Sequence, residues 1–323
     1  MTETAVEVRH VTNSELQTFK ECRRKWFLGY HKRLTKKIER SAGPLKLGSR
    51  VHECLAEYYT GSDPVAFHAK CIERDRALLA EDILPEELKL FESEAVLGQL
   101  MLEGYLEWLQ ETGADQGLTA ISAETKLSSP LGVTDGQGRP VHLLGKLDLK
   151  VRREMDGAVL VLDHKTSQSF RAVYETLVIQ EQFLTYQLLE RLRITEDPES
   201  TSPPATGSIV SVLRKVKRSA SAKPPFYGRE EVHHSDAELR NFYYRLHAEV
   251  AQILSVEAAL AAGGDHRFVC YPSPSRDCTW KCSFFAACHM FEDGSDVERF
   301  LQDHYTEYNP LDRYEEPKDD ETE

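Results

Sequence analysis

The stretch Leu160-Val161-Leu162-Asp163-His164-Lys165-Thr166 decides how the rest of the chain is read. Its first three residues are apolar and suit a buried strand; two charged groups follow, separated by one residue. A strand repeats every two residues, so Asp163 and Lys165 project to the same side and can share one site. Upstream, Gly145-Lys146-Leu147-Asp148-Leu149-Lys150 puts a second carboxylate on the preceding strand, with Leu147 and Leu149 on the other face. Two carboxylates on adjacent strands can hold Mg2+ or Mn2+, which favour hard oxygen donors and keep several waters. A lysine beside such an ion can orient or help deprotonate a metal-bound water. Taken alone, the segment is better read as a surface ion pair at the end of a core strand, because exposed charges are common at strand ends.

The neighbouring sequence supplies a sheet and helices to carry these groups. Residues 120 to 127 alternate as a strand, Asp135-Gly136-Gln137-Gly138 marks a turn, and residues 141 to 151 and 158 to 162 are two more strands around Asp156-Gly157. Residues 172 to 193 return to helical spacing and carry Gln182 and Tyr186, four apart and hence on one face. Residues 208 to 213 are a fourth strand, and residues 236 to 262 form a helix stopped by Gly263-Gly264. Toward the N-terminus, Thr12-Asn13-Ser14 caps a short helix carrying Cys22 and Trp26. Residues 46 to 59 place Leu47, Val51, Leu55 and Tyr58 at helical spacing and carry His52, and residues 64 to 111 read as a helical insertion or cap. The order of helices and strands predicts a mixed α/β architecture.

The formal net charge of -13 argues by itself against a polyanionic partner, but the charge is unevenly spread. Between residues 20 and 50 stand Lys20, Arg23, Arg24, Lys25, Lys32, Arg33, Lys36, Lys37, Arg40, Lys46 and Arg50, against Glu21 and Glu39 alone. A second basic run is Arg214, Lys215, Lys217 and Arg218, and the last residues, 311 to 323, read as a disordered acidic tail. Such local positive charge is either a solvated helix face or a groove for a polyanion. The aromatic residues Trp26, Phe27, Tyr30 and Trp280 are either base-stacking groups beside that groove or core. No stretch approaches the roughly 20 apolar residues of a membrane span, and the first residues lack the layout of a signal peptide, so a soluble, cytoplasmic protein is expected.

Taken together, these residues resemble the PD-(D/E)XK nucleases, in the RecB-like branch that includes the AddB nuclease domain and the CRISPR-associated adaptation nucleases. Gly48-Ser49-Arg50-Val51-His52 matches the histidine motif, Gly145-Lys146-Leu147-Asp148 the first acidic motif, Asp163-His164-Lys165 the D-x-K motif, and Gln182-Phe183-Leu184-Thr185-Tyr186 the Q-x3-Y motif. The resemblance covers residues 10 to 290 and implies a restriction-endonuclease-like core with a central mixed sheet flanked by helices. It implies that His52, Asp148, Asp163 and the backbone carbonyl of His164 bind Mg2+ or Mn2+. Lys165 would position the attacking water, with Gln182 and Tyr186 beside it, and cleavage would leave a 5'-phosphate. Glu124, on the strand before Asp148, is a supporting residue in this scheme and not a ligand.

Cys278, Cys282 and Cys288 supply three thiolates in eleven residues, and a tetrahedral site needs a fourth. By the resemblance that fourth is Cys22. Four-cysteine sites hold Zn2+ or an iron-sulfur cluster. Zinc sites usually come as two local pairs, and a lone cysteine meeting a C-terminal triplet points to [4Fe-4S], although C-x3-C stands here where the family often has C-x2-C. Cys54 and Cys71 read as buried fillers, and Cys270 as a decoy or substitute ligand. The resulting expectation is a single nuclease domain over residues 1 to 310, with a cluster-binding segment at 270 to 290 joined to Cys22. It would cut single-stranded DNA or DNA ends, with Arg23, Arg24, Lys25, Lys32 and Arg33 holding the strand and a helicase or recombination protein as partner. A nuclease-fold DNA-binding partner without activity and a zinc-stabilised regulator are the competing readings.

Overall fold

The computed structural model describes residues 7–37, 43–79, 83–197, 202–219 and 221–314. In chain order the elements are β1 (Arg9–Thr12), α1 (Asn13–Glu21), α2 (Arg23–Trp26), β2 (Leu34–Lys36), α3 (Pro44–Tyr59), α4 (Pro64–Ala77) and α5 (Pro85–Thr112). Then come β3 (Leu118–Thr134), β4 (Pro140–Arg153), β5 (Val159–Ser167), α6 (Phe170–Tyr174), α7 (Glu181–Glu196), β6 (Gly207–Arg214) and β7 (Tyr227–Val232). The chain continues with α8 (Asp236–Ala261), α9 (His266–Val269), α10 (Cys278–Lys281), α11 (Phe285–Cys288), α12 (Val297–His304) and β8 (Tyr305–Glu307). The chain has the expected α/β class, with a central mixed sheet flanked by helices.

The elements divide into two compact units, each assembled from separated segments: residues 1–39, 128–145 and 240–323 form one, and residues 40–127 and 146–239 the other.

In the first unit, β1 runs parallel to the early part of β4, from Arg9 opposite Val141 to Thr12 opposite Leu144. Thr12 ends the strand and caps α1, its Oγ1 accepting the Glu15 N–H at 3.1 Å. Glu15 is buried and ties three elements together: it pairs with Arg9 at 2.5 Å and accepts the Trp26 indole N–H at 3.0 Å, while Arg9 reaches Glu257 of α8 at 2.7 Å. Cys22 was expected within a continuous helix; it adopts extended backbone (φ -163°) and separates α1 from α2. Trp26 and Phe27 are core residues and not stacking surfaces. Residues 312–314, expected in the tail, form a 3-10 turn because Tyr314 is buried there; residues 315–323 lie outside the described residues.

In the second unit, the late part of β4 pairs antiparallel with β5, β5 pairs parallel with β6, and β6 pairs antiparallel with β7. Leu47, Val51 and Leu55 of α3 pack with Met101, Leu102, Tyr105 and Leu109 of α5 against Leu213 and Tyr227. Each such aliphatic side chain contributes about 1.5–3 kcal/mol by leaving water. The block at 64 to 111, read as an insertion or cap, thus builds part of this unit's core through α5. The helix expected over 172 to 193 is broken: α6 ends at Tyr174, a 3-10 turn follows, and Gln180 is extended before α7 begins. The strand expected to end at Leu162 continues to Ser167, because β6 pairs with it along its whole length.

Candidate active site

Asp163 lies on β5 and is fully buried. Its Oδ1 accepts from Gln182 Nε2 and from the Tyr186 hydroxyl, both at 3.1 Å, and its Oδ2 pairs with Lys165 Nζ at 2.7 Å. Lys165 in turn donates to Gln182 Oε1 at 2.8 Å. Gln182 also donates to the Tyr186 hydroxyl. The period-two and period-four readings thus meet: two groups on one strand face engage two groups on one face of α7.

Asp148 approaches from β4. Its Oδ2 is 3.3 Å from His52 Nδ1 on α3 and accepts the His164 backbone N–H at 3.2 Å. Burial pushes the Asp148 carboxyl up, but the hydrogen bond and charge of His52, with Lys165, more than offset this and hold it well below the usual range. Burial lowers His52, and the hydrogen bond and charge of Asp148 reverse the effect and raise it. Asp163 is raised, because burial and the neighbouring Asp148 charge outweigh Lys165. His52, Asp148 and Lys165 keep about a quarter of their side-chain surface exposed, so the charged edge of the site faces solvent.

His164 points to the other face of β5. Its ring packs near Tyr59, Tyr105 and His52, and burial lowers its pKa to about 3, so it is neutral. Beside it lies a network that the sequence did not reveal. Arg229 of β7 pairs with Asp115 at 2.7 Å and donates to the hydroxyls of Tyr105 at 2.7 Å and Tyr59 at 3.0 Å; Tyr105 also meets Ser211 at 2.9 Å. Glu124 is paired with Lys146.

Among the described residues, no group of three or more histidine, cysteine, aspartate and glutamate side chains is arranged to hold a metal ion. At the carboxylates the side chains instead pair with one another, His52 with Asp148 at 3.3 Å and Lys165 with Asp163 at 2.7 Å. The donor set fits a hard divalent ion nonetheless: two carboxylates on adjacent strands, with oxygens of Asp148 and Asp163 on the side of the sheet that carries Lys165 and His52.

Cys22, Cys278, Cys282 and Cys288 line one cavity of about 730 Å³. The Ser273 N–H points at Cys22 Sγ at 3.4 Å and the Ser275 N–H at Cys278 Sγ at 3.3 Å. Burial raises the Cys282 and Cys288 thiols, against the lowering charge of Lys25 on the first and the hydrogen bond and charge of Arg24 on the second. Cys270 is buried, is not among the residues lining that cavity, and is raised to about 11 by burial. Cys54 and Cys71 are buried on α3 and α4.

The basic segment separates residue by residue. Arg24, expected on the DNA, is buried: it pairs with Glu292 at 2.8 Å and donates to the Cys288 carbonyl at 3.2 Å. A guanidinium so enclosed holds the protein together and does not reach a strand. Arg23 lies over the Phe19 and Tyr271 rings, Lys25 pairs with Glu21, and Lys32 with Glu298. Arg33 and Trp280 are exposed.

A mixed sheet presenting Asp148, Asp163 and Lys165 from adjacent strands, with helices on either side, has the restriction-endonuclease-like fold. The family model of the PD-(D/E)XK nuclease superfamily matches residues 10–289, and the chain belongs to that superfamily. Its activity is that of a metal-dependent nuclease. No curated protein matches the chain. No helix among the described residues is long and apolar enough to cross a membrane.

Proposed function

We propose that the protein is a DNA exonuclease that acts on single strands or ends in Mg2+ or Mn2+, in recombination, repair or DNA processing beside a helicase or recombination partner. The observation that carries the reading is the closed set of contacts among Asp163, Lys165, Gln182 and Tyr186, with Asp148 and His52 next to it. His52, Asp148, Asp163 and the His164 carbonyl would hold the ion, which when bound supplies Lewis-acid stabilisation of the phosphoryl oxygens and a more acidic water. Lys165, fixed by Gln182, holds the attacking water in line. The water oxygen bonds to phosphorus, the bond to the 3'-oxygen breaks, and that oxygen leaves with a proton. A 5'-phosphate remains. Gln182 and Tyr186 hold the Asp163 oxygen that faces away from Lys165, so the carboxylate keeps one orientation through the cycle.

Cys22, Cys278, Cys282 and Cys288 hold a [4Fe-4S] cluster in this proposal, supported by their shared cavity and by the amide groups aimed at two of the sulfurs. The nuclease domain then comprises residues 1 to 310, tied by the cluster. Degradation of end-labelled single- and double-stranded DNA, comparing wild type with Asp163→Ala and Lys165→Ala, tests the reading. Metal-dependent cutting by wild type, lost in both variants while DNA binding survives, is expected. An inactive wild type that still binds DNA would favour a binding partner that keeps the fold without the chemistry.

A further inference from the structure

Strand register puts three polar residues in one row across the sheet of the second unit: His164 of β5 stands opposite Ser211 of β6, and Ser211 opposite Arg229 of β7. Partners in register project to the same face, so the row lies on the face of β5 that carries the His164 ring. A guanidinium under covering helices needs a partner for each of its donors. Arg229, with its side chain 10 % exposed, pairs with Asp115 at 2.7 Å and donates to the Ala114 carbonyl at 2.7 Å, the Tyr105 hydroxyl at 2.7 Å and the Tyr59 hydroxyl at 3.0 Å. Tyr59 in turn donates to Asp115 at 3.2 Å. One planar fork thus fastens the last residue of α3, α5 and the segment after α5 to β7.

These attachments reach the carboxylate site by two routes. Tyr59 follows His52 by seven residues, two helical turns, so both project from one side of α3, and a fixed Tyr59 sets the helix on which His52 meets Asp148. The rings of Tyr59 and Tyr105 also stand 5.7 and 6.1 Å from the His164 ring, whose Nε2 has no hydrogen-bond partner among the described residues, so packing holds the imidazole. The His164 backbone supplies the N–H that binds Asp148 and the carbonyl assigned above to the ion. Stability alone does not call for a buried ion pair here, since apolar side chains of similar volume are often as stabilising; the fork adds a fixed geometry.

We infer, on the nuclease reading above, that Arg229 is a positioning residue for the metal site: by gripping Tyr59 and Tyr105 it sets His52 and the His164 carbonyl in place from the His164 side of β5. The test measures Mn2+ binding to the full chain by titration calorimetry without DNA, counting as site-bound the ion that wild type takes up and Asp163→Ala does not. Arg229→Lys keeps a cation for Asp115 but loses the fork. A double variant, Tyr59→Phe with Tyr105→Phe, leaves Arg229 and both rings in place and removes the hydroxyls alone; it decides the matter if Arg229→Lys fails to fold in thermal melts. Both variants are expected to bind the ion about 10- to 100-fold more weakly, the range for losing a group that orients a metal ligand. In cutting assays kcat should fall at limiting Mn2+ and recover as the ion is raised, with KM for an oligodeoxynucleotide unchanged. A lowered melting temperature with an unchanged Mn2+ constant would make Arg229 a packing residue only and overturn the inference, leaving the nuclease reading intact. A raised KM at an unchanged Mn2+ constant would overturn it as well. If wild type takes up no Mn2+ beyond what Asp163→Ala binds, the metal site of the nuclease reading fails first, and the role of Arg229 with it.

Discussion

Gln182 is the residue on which the site turns. Its amide oxygen accepts from Lys165 and its amide nitrogen donates to Asp163, so one planar group reads a cation on one side and an anion on the other. Gln182→Glu keeps the size and the acceptor but sets a second carboxylate against Asp163. We expect it to lower kcat by roughly 10- to 100-fold, the usual cost of losing a partner that orients a metal ligand, with little change in DNA affinity; single-turnover rates against binding constants check this. Asp163, Lys165, Gln182 and Tyr186 were all legible in the sequence, because two local periods, two in a strand and four in a helix, fix which side chains share a face. The contacts of Arg229 with Tyr59, Tyr105 and Asp115 were not legible. Those partners are more than a hundred residues away along the chain, and no local spacing announces them.

At the scale of elements, the sequence located the strands that carry the carboxylates but ended β5 too early. An apolar run reports burial, and β5 continues past it because β6 supplies hydrogen bonds as far as Ser167. The same limit hid β1 and β7, short or largely polar strands whose existence depends on a partner strand. One contact between elements carries unusual energetic weight. Lys150 of β4 and Glu190 of α7 form a buried pair at 2.6 Å, and Glu190 also accepts the Ala205 N–H at 3.2 Å. Removing one member of a buried pair leaves the other charge unsolvated, so Glu190→Ala should destabilise by about 3–5 kcal/mol, read as a lowered midpoint in denaturant melts. A smaller loss, near that of an exposed pair, would mean that water reaches Lys150.

Across the whole molecule, an acidic chain carries its cations in positions that composition could not sort. Arg24 belongs to the core around the cysteine cavity, whereas Arg33 is open to solvent; the sequence shows both simply as arginines in one basic run. The cysteines were better marked, since a triplet in eleven residues is seldom a packing pattern. Cys288→Ser should abolish bound iron and acid-labile sulfide together and lower the melting temperature; zinc found in wild type without iron would replace the cluster by a single-ion site.

Residues 40–127 and 146–239 make up the unit that carries the carboxylates, and residues 240–323 belong to the other, along with Cys278, Cys282 and Cys288. During synthesis every residue of the carboxylate unit has therefore been joined to the chain before the first cysteine of the triplet is made. At about 5–20 residues per second the ribosome needs seconds to add the remainder. Throughout that interval the nascent chain already carries Asp148, Asp163, Lys165, Gln182 and Tyr186, whereas the loop that the proposed cluster would close from Cys22 to the triplet has yet to be made.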